Sequence, residues 1–127
     1  MSLFIKDLEF SYDRNRVINK VSIESNASSL GLLGPNGSGK TTLIKLIGGL
    51  LKSEKGTILL DDNCINSINS KQLSKIIAFV SQDHEPTFGF NVEEVIEMGR
   101  YPFLGTFGFI SKEDKIIIDK IIELLNI

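Results

Sequence analysis

The chain contains a single cysteine, Cys64, so no intramolecular disulfide can form. A lone thiol fits a reducing compartment, and a free, packed role suits it better than a catalytic one. Basic residues are not in surplus: 14 Lys and Arg stand against 16 Asp and Glu, with a net charge of −2 and a pI near 5.4. That balance argues against a dedicated nucleic-acid binder. No apolar run approaches the length of a bilayer span, since the longest, Leu43 to Leu51, is interrupted by Lys45. The N-terminus lacks the apolar region and cleavage site of a signal peptide. The only histidine is His84, read as a loop residue. Internal repeats and low-complexity tracts are absent. At 127 residues, 42% hydrophobic and 24% charged, the sequence is ordinary for one soluble globular domain or part of one.

The informative stretch is Gly34-Pro35-Asn36-Gly37-Ser38-Gly39-Lys40-Thr41-Thr42. It satisfies the phosphate-binding pattern G-x-x-x-x-G-K-[ST]. Successive backbone N–H groups of such a loop can converge on phosphate oxygens. Gly34, Gly37 and Gly39 supply the backbone freedom and close approach this requires. Lys40 brings a mobile positive charge to the inner phosphates. Thr41 offers a hydroxyl to Mg²⁺, and a helix starting here directs its positive end at the anion. Asn36-Gly37-Ser38 is formally a glycosylation sequon, but a glycan there would destroy the phosphate site. The flanks agree with the motif. Ser29-Leu30-Gly31-Leu32-Leu33 reads as a buried strand. Leu43, Ile44, Leu46, Ile47, Leu50 and Leu51 recur at helical spacing.

Elsewhere the pattern is a string of short elements. Leu3–Phe10 and Arg16–Ile23 read as strands joined by the turn residues Asp13-Arg14-Asn15, hence a hairpin. Gly56–Leu60 is another strand, and Asp61-Asp62-Asn63 turns it into Cys64-Ile65. A short helix is expected over residues 70–75, then a fully apolar strand at Ile76–Val80. Asn91 caps a helix with an acidic first turn that runs to about Gly99. Residues 101–110 read as a loop. Ser111 and Asp114 resemble a capping box that opens a last helix through Ile116, Ile117, Ile121, Leu124 and Leu125, whose apolar side chains are packing residues.

The motif alone leaves kinases, GTPases, helicases and transport ATPases open. Its neighbours narrow the choice. Leu32 to Leu43, Gly56-Thr57-Ile58-Leu59-Leu60-Asp61 and Ala78-Phe79-Val80-Ser81-Gln82 follow one another in an order that closely resembles the ATP-binding subunits of ABC transporters. The resemblance extends from Leu3 to Ile127. It implies an α/β fold: a P-loop core with an N-terminal antiparallel β region over residues 1–90, then the start of a helical subdomain over 91–127. It implies ATP and Mg²⁺ as ligands. Tyr12 stands where the family places an aromatic that stacks on adenine. Gln82 stands in the glutamine loop, where a neutral amide ligates Mg²⁺ or orients water without titrating and also senses the membrane partner. The resemblance thus gives Lys40 and Gln82 catalytic roles, Thr41 and Gln82 metal roles, and nucleotide contacts to Tyr12 and residues 34–42. His84 is not the family's switch histidine, which lies much further along. Met98-Gly99-Arg100-Tyr101-Pro102-Phe103-Leu104-Gly105, continued by Phe107, Ser111 and Asp114, resembles importer ATPases for iron chelates, haem and cobalamin.

Several family parts have no counterpart in these 127 residues: the LSGGQ-type signature, the strand ending in Asp-Glu and the switch histidine. The sequence therefore reads as the N-terminal portion of an ATPase subunit. The parent is expected to pair with a second ATPase subunit and with transmembrane permease subunits, to be cytoplasmic and peripheral on the inner face of the cell membrane, and to need no nucleic acid. Two other readings stay open: a nucleotide-binding module without turnover, and a soluble ABC ATPase acting on DNA or the ribosome. Glu85, three residues after Gln82, is the first carboxylate to test if the isolated chain turns over ATP.

Overall fold

Alternating side chains and turn chemistry at the N-terminus build the expected hairpin. In the computed structural model, which describes residues 2–82, 89–105 and 108–127, β1 (Leu3–Tyr12) pairs antiparallel with β2 (Asn15–Ser25). Asp13 turns the chain between them at φ +51°. β3 (Lys55–Leu60) adds to the other side of β1, and the short β4 (Asn63–Cys64) closes the edge, giving the order β2-β1-β3-β4. Asp61 and Asp62, at φ +45° and +64°, form the tight β3–β4 connection, as short polar side chains that tolerate the left-handed region should. His84, Glu85 and Phe107 lie outside the described residues.

β1 is bulged. Its register slips between Ile5 and Leu8 against β2 and between Lys6 and Glu9 against β3. The bulge presses the backbone of β1 onto Gly56 of β3. A β-carbon at Gly56 would lie 2.6 Å from Lys6 O, Asp7 O and Leu8 Cα, and φ there is +88°. Only glycine satisfies both demands.

One face of this sheet carries the core. Ile5, Leu8, Phe10, Ile18, Ile58 and Leu60 are buried there with Leu43 and Leu46 of α1 (Lys40–Ile47), and Ile65 and Leu73 complete the cluster. α1 ends earlier than its apolar pattern, because Gly48 and Gly49 follow. Gly49 adopts φ +69°, and Leu50 N–H returns to Lys45 O at 2.9 Å, a glycine-terminated helix end.

Two expected strands are not strands. Residues 29–33 and 76–80 are irregular, and Leu33 is 98% and Val80 83% exposed. Of these runs, Leu32 and Ile77 pack against the core. The reason is non-local. A continuous apolar run suits a strand of a parallel sheet, but its hydrogen bonds come from neighbours on both sides. Among the described residues the sheet is limited to β2, β1, β3 and β4, none of which pairs with either run.

The chain forms two compact units, Met1–Phe79 and Val80–Ile127. The first also holds α2 (Ser70–Leu73), capped by the side chain of Asn69, which accepts from Gln72 N–H. The second holds α3 (Val92–Met98) and α4 (Lys112–Leu125). Both begin with full capping boxes, Asn91 with Glu94 and Ser111 with Asp114. The segment expected as loop after α3 contains one 3₁₀ turn, Tyr101–Phe103.

Candidate functional site

The loop between residue 34 and α1 is organised by its own backbone. Ser38 N–H donates to Pro35 O at 3.3 Å, and Gly37 has φ +79°, the value the third residue of a type II turn needs. Gly39 then enters the left-handed region at φ +88° and serves as N-cap of α1. Leu43 N–H donates to Gly39 O at 2.8 Å, the first bond of the helix. Gly39 has no side chain to cap the helix, and the first turn carries no acidic residue. The first N–H groups of α1 thus have no side-chain cap, at the positive end of the helix dipole.

Gly34 departs from the expectation for the three glycines, because its φ is not positive. A β-carbon there would approach Ser38 Oγ to 2.9 Å, a contact that rotation of the exposed hydroxyl relieves. Gly39 carries a further constraint. A β-carbon on it would meet Ile18 Cδ1 at 3.1 Å and Val17 Cγ1 and Val17 O at 3.2 Å. The loop is therefore seated directly on β2, a contact that periodicity gave no means to anticipate.

Lys40 reaches back across the loop. Its Nζ donates to Gly34 O and Pro35 O, each at 2.8 Å. This holds the ammonium over the loop rather than in open solvent. Thr41 is exposed, with its hydroxyl available, while Thr42 is buried at 8%. The adjacent pair divides the work: Thr42 anchors α1 and Thr41 faces outward. Asn36, Gly37 and Ser38 are exposed along the loop. A cavity of about 330 Å³ opens beside it, lined by Val17, Ile18, Val21, Leu32, Lys40 and Leu43 among others.

Tyr12 ends β1 in the same unit. Tyr12 is 44% exposed, and its ring makes a T-shaped contact with that of Phe10, with centroids 4.9 Å apart. Tyr12 pairs with Asn15 on β2, two residues before the Val17 that contacts Gly39. At about 3.3 Å per residue, the Tyr12–Asn15 backbone pair lies roughly 7 Å along β2 from Val17. Gln82 belongs to the second unit and is exposed.

Charges around β1 were not singled out from sequence. Glu9 is buried at 7% and has Lys55 Nζ at 3.6 Å and Arg16 Nη2 at 3.9 Å. A carboxylate between two buried apolar residues, Leu8 and Phe10, was the available signal. In the second unit Arg100 donates from Nε and Nη2 to Asp114 Oδ1 at 2.8 and 2.7 Å, and Phe103 stacks on its guanidinium at 4.2 Å. The Ser111 hydroxyl donates to Asp114 Oδ2 at 2.7 Å. Ser111 first, then Arg100, hold the Asp114 carboxyl below the usual carboxylate range. Asp114 thus ties α4 to the turn after α3.

Mg²⁺ suits the donors present. It is usually held by few protein oxygens, with water and substrate phosphates completing its shell. The exposed Thr41 hydroxyl meets that description. No group of three His, Cys, Asp or Glu that could hold a metal occurs among the described residues.

Comparison with known proteins agrees with this geometry. A profile of the ABC transporter family matches residues 18–127. The petrobactin import ATP-binding protein FpuC of Bacillus anthracis is 39% identical over 77% of this chain and 36% of its own length. An uncharacterized ABC transporter ATP-binding protein, YvrA of Bacillus subtilis, is 38% identical over 91% of this chain and 27% of its own. The cobalamin import ATP-binding protein BtuD of Halobacterium salinarum is 33% identical over 94% of this chain and 30% of its own. A solved ATP-binding subunit of an ABC transporter superposes with a TM-score of 0.69 at 23% identity, over 84% of this chain and 45% of that one, and so supports the fold. The chain thus spans between about a quarter and two fifths of these curated relatives. With a phosphate loop seated on an antiparallel sheet, and a family match over most of its length, the chain belongs to the ABC transporter ATP-binding protein family.

Proposed function

We propose that the chain binds ATP with Mg²⁺ at residues 34–42, and that within a longer subunit the site hydrolyses ATP to drive import of an iron chelate, haem or cobalamin. The observation that carries the reading is the loop itself: left-handed Gly37 and Gly39, an uncapped α1 and Lys40 bridging two loop carbonyls. The backbone N–H groups of the loop bind phosphate oxygens. Lys40 neutralises charge on the inner phosphates. Thr41 would hold Mg²⁺, which supplies further charge neutralisation. Tyr12 offers its exposed face to adenine. Phosphoryl transfer needs mainly positioning and charge stabilisation, and this chain supplies the grip on the triphosphate.

The substrate class rests on the run Met98–Gly105 and on the names of the relatives, which import petrobactin, iron(3+)-hydroxamate and cobalamin. In this reading the partners are a second ATPase subunit and membrane permeases, with the subunit held at the cytoplasmic face. No helix among the described residues is long and apolar enough to cross a membrane. A second reading is nucleotide binding without turnover.

Titration of fluorescent ATP into the wild-type chain and Lys40→Ala tests the site. Severe loss of affinity in the variant is expected, and equal affinities would remove the assignment. Phosphate release measured in parallel separates the two readings. The chain alone is expected to show essentially none, and sustained release abolished by Lys40→Ala would place a base within these residues, with Glu85 the first to substitute.

A further inference from the structure

The β1–β3 ladder stops at the pair Glu9–Lys55. β1 continues three residues further, to Tyr12. Past that point a side chain takes over from the strand. Glu54 N–H donates to Glu9 O at 3.1 Å, and the Glu54 carboxylate folds along β1 to accept Ser11 N–H at Oε1, 2.9 Å. The Ser11 hydroxyl lies 3.4 Å from Oε2. Ser11 is the residue immediately before Tyr12. On its other side Ser11 pairs with Arg16 of β2, and the Phe10 and Tyr12 rings make a T-shaped contact at 88°. The backbone next to Tyr12 is therefore held on two sides, by its pairing with β2 and by Glu54, and of these Glu54 lies outside the hairpin. Without it, the last residues of β1 keep one strand neighbour, and terminal ladder residues with one neighbour fray.

We propose that Glu54 is a positioning residue for the adenine-binding face of Tyr12, acting through its hydrogen bonds to Ser11 and not by touching nucleotide. This rests on the reading of Tyr12 as the adenine platform. Stacking rewards a ring already held in the bound orientation, because the ordering is done before the base arrives. Glu54 therefore raises affinity for the base and leaves the grip on the phosphates unchanged, since the phosphate loop is seated separately on Val17 and Ile18.

The test compares ATP with inorganic tripolyphosphate, which has the same phosphate chain and no base. Both are titrated with Mg²⁺ into the wild-type chain, Glu54→Ala, Glu54→Gln, Tyr12→Ala and the double variant Tyr12→Ala/Glu54→Ala, and binding is read from amide chemical shifts. Glu54→Ala is expected to weaken ATP about fivefold, the scale of one ordinary hydrogen bond, with tripolyphosphate unchanged. Glu54→Gln keeps an acceptor for Ser11 N–H and is expected to restore ATP binding. In the Tyr12→Ala background, Glu54→Ala is expected to add nothing. Equal weakening of ATP and tripolyphosphate in Glu54→Ala would reduce Glu54 to a general structural role. Equal tightening of both in Glu54→Ala and Glu54→Gln would mean that its charge, not its bond to Ser11, is what the ligand feels. Either result overturns the proposal. If Tyr12→Ala itself leaves ATP binding unchanged, the adenine reading fails first and the proposal with it. If Tyr12→Ala weakens ATP and Glu54→Ala does not, only the proposal fails.

Discussion

Three glycines near the phosphate loop should respond to alanine in a fixed order. Gly31 has neither a positive φ nor any atom within 4 Å of a β-carbon. Gly31→Ala should then be neutral or stabilising by about 0.4–1 kcal/mol, through a less flexible unfolded chain. Gly37 has φ +79° but open space around its β-carbon. Alanine there meets only the left-handed penalty, about 1–2 kcal/mol. Gly39 carries both burdens: φ +88°, and contacts of 3.1–3.2 Å to Ile18, Val17 and the Val17 carbonyl. The two side-chain tips can yield, but the carbonyl belongs to the sheet backbone. Overpacking adds about 1–3 kcal/mol to the same strain, so Gly39→Ala should cost about 2–5 kcal/mol. Urea unfolding at equilibrium measures the series, with the midpoint as readout at constant slope. A Gly39→Ala chain as stable as Gly37→Ala would refute the seating of the loop on β2. A Gly37→Ala chain as stable as Gly31→Ala would refute the left-handed turn.

Thr41→Val preserves shape and removes the hydroxyl, so Mg²⁺ should lose its enhancement of ATP binding; unchanged Mg²⁺ dependence in the same titration would exclude the metal role. Leu8 is fully buried under the bulge of β1, and Leu8→Ala should cost about 2–5 kcal/mol in urea unfolding. Asp114 titrates below the usual carboxylate range in the folded chain, so its contribution is complete above the unfolded value near 3.9 and falls as pH drops through the lower folded value. Helical circular dichroism should therefore show acid loss of α4 that flattens in Asp114→Asn; the same acid profile in both chains would exclude Asp114 as its source.

The parts that sequence made legible are the parts built by near neighbours. The hairpin of β1 and β2 follows from alternation and the turn at residues 13–15. The capping boxes of α3 and α4 join residues three apart, Asn91 with Glu94 and Ser111 with Asp114. The loop before α1 is contiguous, and its need for left-handed glycines at 37 and 39 could be read from the motif. What escaped depends on distant partners. Residues 29–33 and 76–80 have the composition of strands, but a strand is made by its neighbours, and Leu33 and Val80 stand in solvent. The seat of Gly39 on Val17 and the bond from Ser11 N–H to Glu54, 43 residues away in sequence, have no local signature. The motif groups Gly34 with Gly37 and Gly39, yet only the latter two adopt positive φ.

The central claim is that residues 34–42 hold the triphosphate. Backbone amide shifts recorded while ATP and Mg²⁺ are added to the isotope-labelled chain test it most directly, because a loop of this kind would bind through its own N–H groups. The largest changes should fall on Gly37, Ser38, Gly39, Lys40 and Thr41 and should vanish in Lys40→Ala. Changes centred elsewhere in the chain, or the same changes in Lys40→Ala, would contradict it.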